Sequence, residues 1–499
     1  MATILRNASE TTLYDESCPL LCNPDNPEAL KHFQLHPTPL PKGQLAALCS
    51  VRLVDPIAFT QVIFPYINEF ITLLNVTNDP SQIGFYSGLV ESCFAMAQLC
   101  SIYHWAKISD TIGRRPVIMA GTLGIAITTL LLGLSSSLLQ ILVSRCLAGF
   151  FSGNVAVIHS VLGELTDSTN QAIAFPIYGL FWPLGSIIGP LIGGALSNPA
   201  IKYPKYYNNS FLRTYPYFLP CFIAAIFAFF GVFLACISLE ETLPSKRHQT
   251  ASLSKCYGTT GSEGDVLAVS SPPSISELLS IPVIRALSTS GCALCFIATA
   301  FDVVFVLFCY SPIEAGGLAF SASQIGYSLA VAGTISASIQ LLFLPTLLRT
   351  FDIAKMYNFC MLLWPLSFAF LPVLNHIART GFNEGAGTLD SRIMFVLWTG
   401  IAFVLACSRV GCLAYSISMI LVKENAPGPA SLGSTNGLVQ FSMCLARAFS
   451  PAFVSSAFAY STQTNILGGH LWVLVMVCIC FWGCYLSREI SYSNSRVGK

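Results

Sequence analysis

Charged side chains are scarce in this sequence. Asp, Glu, Lys and Arg make up 10% of its 499 residues, against roughly 25% in a soluble domain. A chain of this size could not cover a water-facing surface with so few charges, which excludes a soluble globular protein. A surplus of one sign is missing too. The net charge is +1, which leaves no electrostatic footprint for nucleic acid. No Gly-x4-Gly-Lys-Ser/Thr loop occurs, and no polar stretch is long enough for a nucleotide-binding domain, so an ATP-driven pump or another membrane enzyme is disfavoured. The first forty residues carry Asp15, Glu16, Asp25 and Glu28 and lack the basic start and apolar core of a cleavable signal peptide. The 19 cysteines are scattered, and many, such as Cys93, Cys100, Cys221 and Cys480, lie inside apolar runs. They read as small apolar residues of a reduced chain rather than a disulfide framework. No cofactor motif and no metal site is expected. Cys18 and Cys22 form a pair, but no third or fourth ligand lies nearby.

Long apolar runs are what the sequence has in abundance: 54% of residues are hydrophobic. A membrane span needs about twenty mostly apolar residues. Candidate spans fall at about 45–74, 83–105, 117–136, 138–165, 171–196 and 216–238, then at about 286–313, 323–348, 354–374, 391–422, 431–460 and 468–487. The runs are long and do not alternate in polarity, so they predict helices rather than barrel strands. The expected organisation is a tail over 1–44, a six-helix bundle over 45–238, a polar central loop over 239–285, a second six-helix bundle over 286–487 and a tail over 488–499. The central loop holds Lys246, Arg247, many serines and Pro272-Pro273. A 6 + 6 layout of this kind is repeat-like.

Basic residues set the expected orientation. With the N-terminus cytoplasmic, the inner loops and tails hold Arg6, Lys31, Lys42, Lys107, Arg114, Arg115, Lys246, Arg247, Lys255, Arg285, Arg349, Lys355, Lys423, Arg488, Arg496 and Lys499. The outer loops hold only Lys202, Lys205, Arg213, Arg379 and Arg392. Glycosylation sequons at Asn75 and Asn208 fall in outer loops and agree with this choice. A third, at Asn7, would face the cytoplasm.

Several polar residues stand out against the apolar background. Between spans 2 and 3 the chain reads Trp105-Ala106-Lys107-Ile108-Ser109-Asp110-Thr111-Ile112-Gly113-Arg114-Arg115-Pro116. Asp110 can accept charge-assisted hydrogen bonds, Gly113 permits a tight reversal, and Arg114 and Arg115 suit lipid head groups or a helix end. The same pattern also suits a plain positive-inside anchor. In span 5, Gly185, Gly189 and Gly193 recur every four residues beside Pro190 and Gly194, which leaves one bare helix face for close packing. Arg145 lies about 10 Å into span 4, where a charge is costly and marks either a functional site or a structural pair. Arg52 and Asp55 are three apart in span 1 and can pair on one face. Asp55 either carries protons or holds a structural ion pair. Glu91 in span 2 is a second intramembrane acid with no local partner. In the second half, Asp302, Gln340, Arg409, Gln440 and Arg447 lie within spans, where polar groups line a cavity or join helices. After span 8, Arg349 to Lys355 occupies the place equivalent to the 105–116 loop.

These motifs resemble the major facilitator superfamily. The loop around Asp110, Gly113, Arg114 and Arg115 is similar to its Gly-x3-Asp-Arg-x-Gly-Arg-Arg/Lys pattern, with Ala106 in place of the first glycine and Thr111 in place of the first basic residue. Those departures would weaken the gating contact the family assigns to this loop. Gly189-Pro190-x2-Gly193-Gly194 is similar to the motif of its proton-coupled antiporters, and Arg145 to its helix-4 arginine. Arg52-x2-Asp55-Pro56-Ile57, Gly316-Gly317-Leu318, the Leu432 to Gln440 stretch and Arg447-x3-Pro451 look like the zinc-induced facilitator-like group and its fungal relatives. Cys18 and Cys22 are similar to a cysteine pair in that group. The resemblance implies an all-α membrane protein of the major facilitator fold, with 12 transmembrane helices in two bundles. It implies a secondary transporter, not an enzyme, that exchanges protons for a small solute as a monomer in the plasma or vacuolar membrane. Export of drugs or other small molecules is favoured over uptake. A binding-only, receptor-like protein on the same fold and a uniporter stay open as alternatives.

Overall fold

The computed structural model describes residues 39–77, 79, 82–166, 170–207, 209–243, 275–383, 388–389, 391–425 and 432–497. Cys18, Cys22, Asn208 and most of the central loop lie outside these residues. The chain starts as α1 (Lys42–Asp55), widens into a π turn at Pro56–Gln61, and resumes as α2 (Ile67–Leu73). Span 1 is therefore a broken helix. Pro56 and Pro65 have no N–H for the helical ladder, and each ring crowds the carbonyl four residues earlier. Many of its apolar residues, among them Leu48, Val51, Ile57, Ile63 and Phe70, are nonetheless buried.

Next come α3 (Ile83–Ile112), α4 (Arg114–Gly133), α5 (Leu138–Ser152) and α6 (Val155–Leu165), the last two interrupted only at Gly153 and Asn154. Then come α7 (Gln171–Leu196) and α8 (Phe218–Ser238). The second half runs through α9 (Pro282–Tyr310), α10 (Ala322–Ser338), a π turn at Ile339–Phe343, α11 (Leu344–Thr350), α12 (Ile353–Ala369) and α13 (Leu371–Thr380). It ends with α14 (Ser391–Asn425), α15 (Leu432–Thr464) and α16 (Leu471–Val497). The α12–α13 break falls just before Pro372, again where a donor is missing. Among the described residues, eleven stretches are long and apolar enough to cross a bilayer, with α5–α6 and α12–α13 counting once each. The broken α1–α2 segment makes the twelfth expected span. The β-structure described is one antiparallel pair, β1 (Phe382–Asn383) with β2 (Thr388–Leu389), in the loop after α13.

Helices satisfy their own backbone, which is what a hydrocarbon solvent demands. Large apolar side chains on the outside, such as Phe222, Phe229, Phe230 and Phe233 of α8, are exposed in a way that lipid accepts and water would penalise. The interior of the second half packs around Phe301, whose ring lies 5.7 Å from Trp364 and 5.4 Å from Phe368, both edge-on.

The two halves meet along two helix pairs, α7 with α10 and α3 with α15. Glycine makes both approaches possible. A Cβ at Gly326 would stand 2.5 Å from the Pro190 carbonyl, and one at Gly194 would stand 2.9 Å from that of Ala322. One at Gly88 would stand 2.7 Å from the Pro451 carbonyl. Hydrogen bonds cross the same seams: Ser323 Oγ to the Gly194 carbonyl at 2.9 Å, the Ala452 N–H to Ser92 Oγ at 3.0 Å, and Thr72 with Tyr310 at 2.8 Å. All of these lie toward the end of the molecule remote from the Asp110–Arg115 loop. Toward the loop end, a Cβ at Gly179 on α7 or Gly437 on α15 would have nothing within 4 Å. Among the described residues the halves are thus in close contact toward one end, with open space at these two positions toward the other.

Overpacking a tight helix crossing costs about 1–3 kcal/mol. Gly88→Leu is expected to lower the thermal unfolding midpoint of the detergent-solubilised protein by several degrees. Gly163→Leu, where a Cβ meets open space, serves as the matched control and leaves the midpoint unchanged. Equal midpoints for both variants would contradict the close α3–α15 approach.

Candidate functional site

Span 1 places Arg52 and Asp55 one turn apart, and they pair: Arg52 Nη1 donates to Asp55 Oδ2 at 3.1 Å. Asp55 is buried. The Arg52 guanidinium also lies 4.8 Å from the Trp182 ring and 5.3 Å from the Tyr178 ring, so α7 supplies aromatic faces to the cation. His159 of α6 meets Tyr178 edge-on at 5.8 Å. The α7 glycines explain how this helix comes so close. A Cβ at Gly185 would overlap the ring of Pro56, next to Asp55, and one at Gly193 would overlap the Val62 carbonyl. Gly189 and Pro190 are buried on the same helix. The expected bare face is therefore divided. Gly185 and Gly193 seat span 1, while Gly194 seats α10 of the other half.

Glu91 has a partner that sequence spacing hides. Arg145 Nη2 donates to Glu91 Oε1 at 2.8 Å, with the two side chains only 1% and 9% exposed respectively. The Arg145 guanidinium also rests 4.5 Å from the Phe94 ring. Beside Glu91 is a cavity of about 10 Å³, where Phe64, Ile67, Asn68 and Ser87 face Val303, Val306 and Leu307 of the second half. The Asn68 amide is buried there and finds no hydrogen-bond partner among the described residues.

Asp302 and Arg409, on α9 and α14, also pair, at 2.5 Å. Gln440 and Arg447 line a separate cavity between α14 and α15. Gln340 stands apart, half-buried in the π turn after α10. Asn75 is exposed, with a left-handed φ of 48°.

At the loop end, Gly113 adopts φ 121°, a conformation open to glycine. Arg114 donates to Asp110 at 2.6 Å, to Ser109 at 2.5 Å and to Glu164 at 3.1 Å. Glu241, just past α8, accepts from the backbone N–H groups of Arg114 at 2.8 Å and of Arg115 at 3.3 Å, so a carboxylate caps the N-terminus of α4. Arg115 donates to the Cys236 carbonyl. Glu164 and Glu241 escaped sequence reasoning because an acid at the end of a span is ordinary. The available signal was their place on the same side of the membrane as Arg114.

Residues 57–451 match the Major Facilitator Superfamily. The chain belongs to that superfamily. It is 44% identical over 488 residues to the major facilitator-type transporter psiT2 of Psilocybe cyanescens, with 92% of each chain covered. It is 26% identical over 510 residues to the multidrug transporter mfsB of Aspergillus fumigatus, covering 88% of this chain and 82% of that one. With the protein ZINC INDUCED FACILITATOR 1 of Arabidopsis thaliana it shares 26% identity over 457 residues, 87% of this chain and 88% of the other. Its fold is similar to that of a bacterial homologue of the human lysosomal transporter Spinster, with a TM-score of 0.62 at 15% identity, covering 91% and 98% of the two chains. The protein is a multi-pass membrane transporter of the all-helical major facilitator fold.

In this transporter the Arg145–Glu91 and Arg409–Asp302 pairs join different helices, while Arg52–Asp55 lies within one. Removing one member of a buried pair leaves an uncompensated charge and costs about 3–5 kcal/mol. Glu91→Ala is expected to destabilise by that order, and Glu91→Ala combined with Arg145→Met to recover much of the loss. Thermal unfolding in detergent measures both. A double variant as unstable as the single one would show that the pair is not the main determinant.

Proposed function

We propose that this transporter exports a small solute in exchange for protons, by alternating access between the two halves. The observation that carries the reading is the presence of two buried carboxylate–arginine pairs, Arg52–Asp55 and Arg145–Glu91, in the first half. A carboxylate in low dielectric has two acceptable states: ionised against its arginine, or protonated and released from it. The second state frees the arginine and changes the local packing. Glu91 lies against the cavity where the halves meet, so its protonation alters the contact that distinguishes one arrangement from the other. Asp55 sits beside the Gly185–Pro56 crossing, so its charge bears on how span 1 seats against α7.

The seal at one end and the gap at the other correspond to one of the two states that alternating access requires. With a cytoplasmic N-terminus, the gap faces the cytoplasm, and the Asp110–Arg114–Glu164 cluster is an inner latch. Asn75 then faces outside, as a glycan acceptor must. Similarity to a protein named as a multidrug transporter supports export, as does the Gly189-Pro190 to Gly194 motif. The partners are a small solute, protons and the bilayer, and the working unit is a monomer.

The test uses purified protein in liposomes with a pH-sensitive dye inside. In wild type, uptake of a transported solute into the vesicle is expected to drive protons out, so the lumen becomes more alkaline. Asp55→Asn and Glu91→Gln are each expected to reduce that proton movement about tenfold or more, a loss of roughly 1.4 kcal/mol. Solute flux that proceeds in wild type with no change in lumenal pH would rule out coupling.

A further inference from the structure

Arg52, Arg145 and Arg409 each meet a carboxylate inside the spans. Arg447 does not: among the described residues no Asp or Glu forms an ion pair with it. Its titratable neighbours are Cys295, Cys444 and Tyr415, groups that are mostly neutral at pH 7 in their ordinary state. A guanidinium stays charged, so this cation within the bilayer lacks the counter-charge its three counterparts have. It opens into a cavity of about 70 Å³ between α14 and α15, shared with Tyr415, Ser418, Gln440, Met419 and Met443. Tyr415 and Ser418 offer hydroxyl donors, and Gln440 offers an amide donor. Among the described residues no acid lines the cavity. A single water needs about 10–15 Å³ of such space, so the cavity holds a small head group while the body of a larger molecule projects beyond it.

We infer that this cavity is an anion subsite, in which Arg447, helped by Tyr415, Ser418 and Gln440, receives a carboxylate or phosphate group of the transported solute. A planar guanidinium matches both groups with paired hydrogen bonds. Met419 and Met443 give an adaptable apolar wall that accepts varied shapes next to that group. The inference rests on the transport reading only in naming the ligand as cargo. Anion binding itself requires no proton coupling.

The test measures binding by thermal stabilisation of the full chain in phosphatidylcholine nanodiscs, at constant ionic strength, with inorganic phosphate, benzoate and choline as probes. Phosphate or benzoate is expected to stabilise wild type, and choline is not. Arg447→Gln is expected to weaken the anion's apparent affinity about tenfold or more. Arg447→Lys, which keeps the charge but not the fork, should lose less. Tyr415→Phe keeps the guanidinium and should lose about threefold. It keeps the inference testable if Arg447→Gln is not monodisperse. Undiminished anion binding in folded Arg447→Gln overturns the subsite, as does equal stabilisation by choline. Stabilisation that appears only in discs containing phosphatidylglycerol, and that Arg447→Gln removes, overturns the solute assignment and makes the occupant a lipid head group. Asp55→Asn should bind the anion as wild type does while losing proton movement, so failure of coupling and failure of this subsite give different patterns.

Discussion

Charge in a medium that cannot solvate it is the constraint from which the rest of this structure follows. Within the spans the transporter answers it by pairing. Arg145 reaches from α5 to Glu91 on α3, and Arg409 reaches from α14 to Asp302 on α9. Arg52 turns back on Asp55 and also lies against two aromatic rings of α7. The Arg145 and Arg409 pairs each tie two helices together, while the Arg52–Asp55 pair lies within one. Aromatic rings such as Phe94 and Trp182 hold the arginines in place without replacing their acidic partners.

Close backbone approach is the second requirement. Bilayer-embedded helices gain little from hiding apolar surface, because lipid is as apolar as leucine, so contact depends on fit. Gly185 and Gly193 bring span 1 onto α7, and Gly194 and Gly326 bring α7 onto α10. The same helix thus carries the seat of Asp55 on one side and the seal between halves on the other. Lys202 extends this arrangement: its ammonium donates to the Gly194 carbonyl at 2.7 Å and to Ser197 Oγ at 2.6 Å, finishing the open end of α7 beside the seal. A change in span 1 can therefore reach the interface through one rigid element.

Much of the fold was legible in the sequence. Twelve apolar runs, a polar stretch after the sixth and a glycine every four residues in span 5 are local patterns, and α7 spans the residues that periodicity marked. The breaks were less legible. Pro56 and Pro65 announce a disturbance, but whether the chain kinks or opens into a π turn depends on neighbours that accept the freed carbonyls. The pairing of Arg52 with Asp55 was readable because three residues make nearly one helical turn.

The longer-range pairs were not readable. Glu91 and Arg145 are 54 positions apart and Asp302 and Arg409 are 107 apart, and helix periodicity says which face a residue occupies but not which helix faces it. The sequence by itself determined that this chain lives in a bilayer, how many times it crosses, and which few polar residues must be explained there. Only the tertiary structure decided which residues remote in sequence neutralise one another, that Glu164 and Glu241 complete the loop around Arg114, and that among the described residues no acid pairs with Arg447. The physical reason is that a buried charge is priced by its surroundings in three dimensions, and those are supplied by helices remote in sequence.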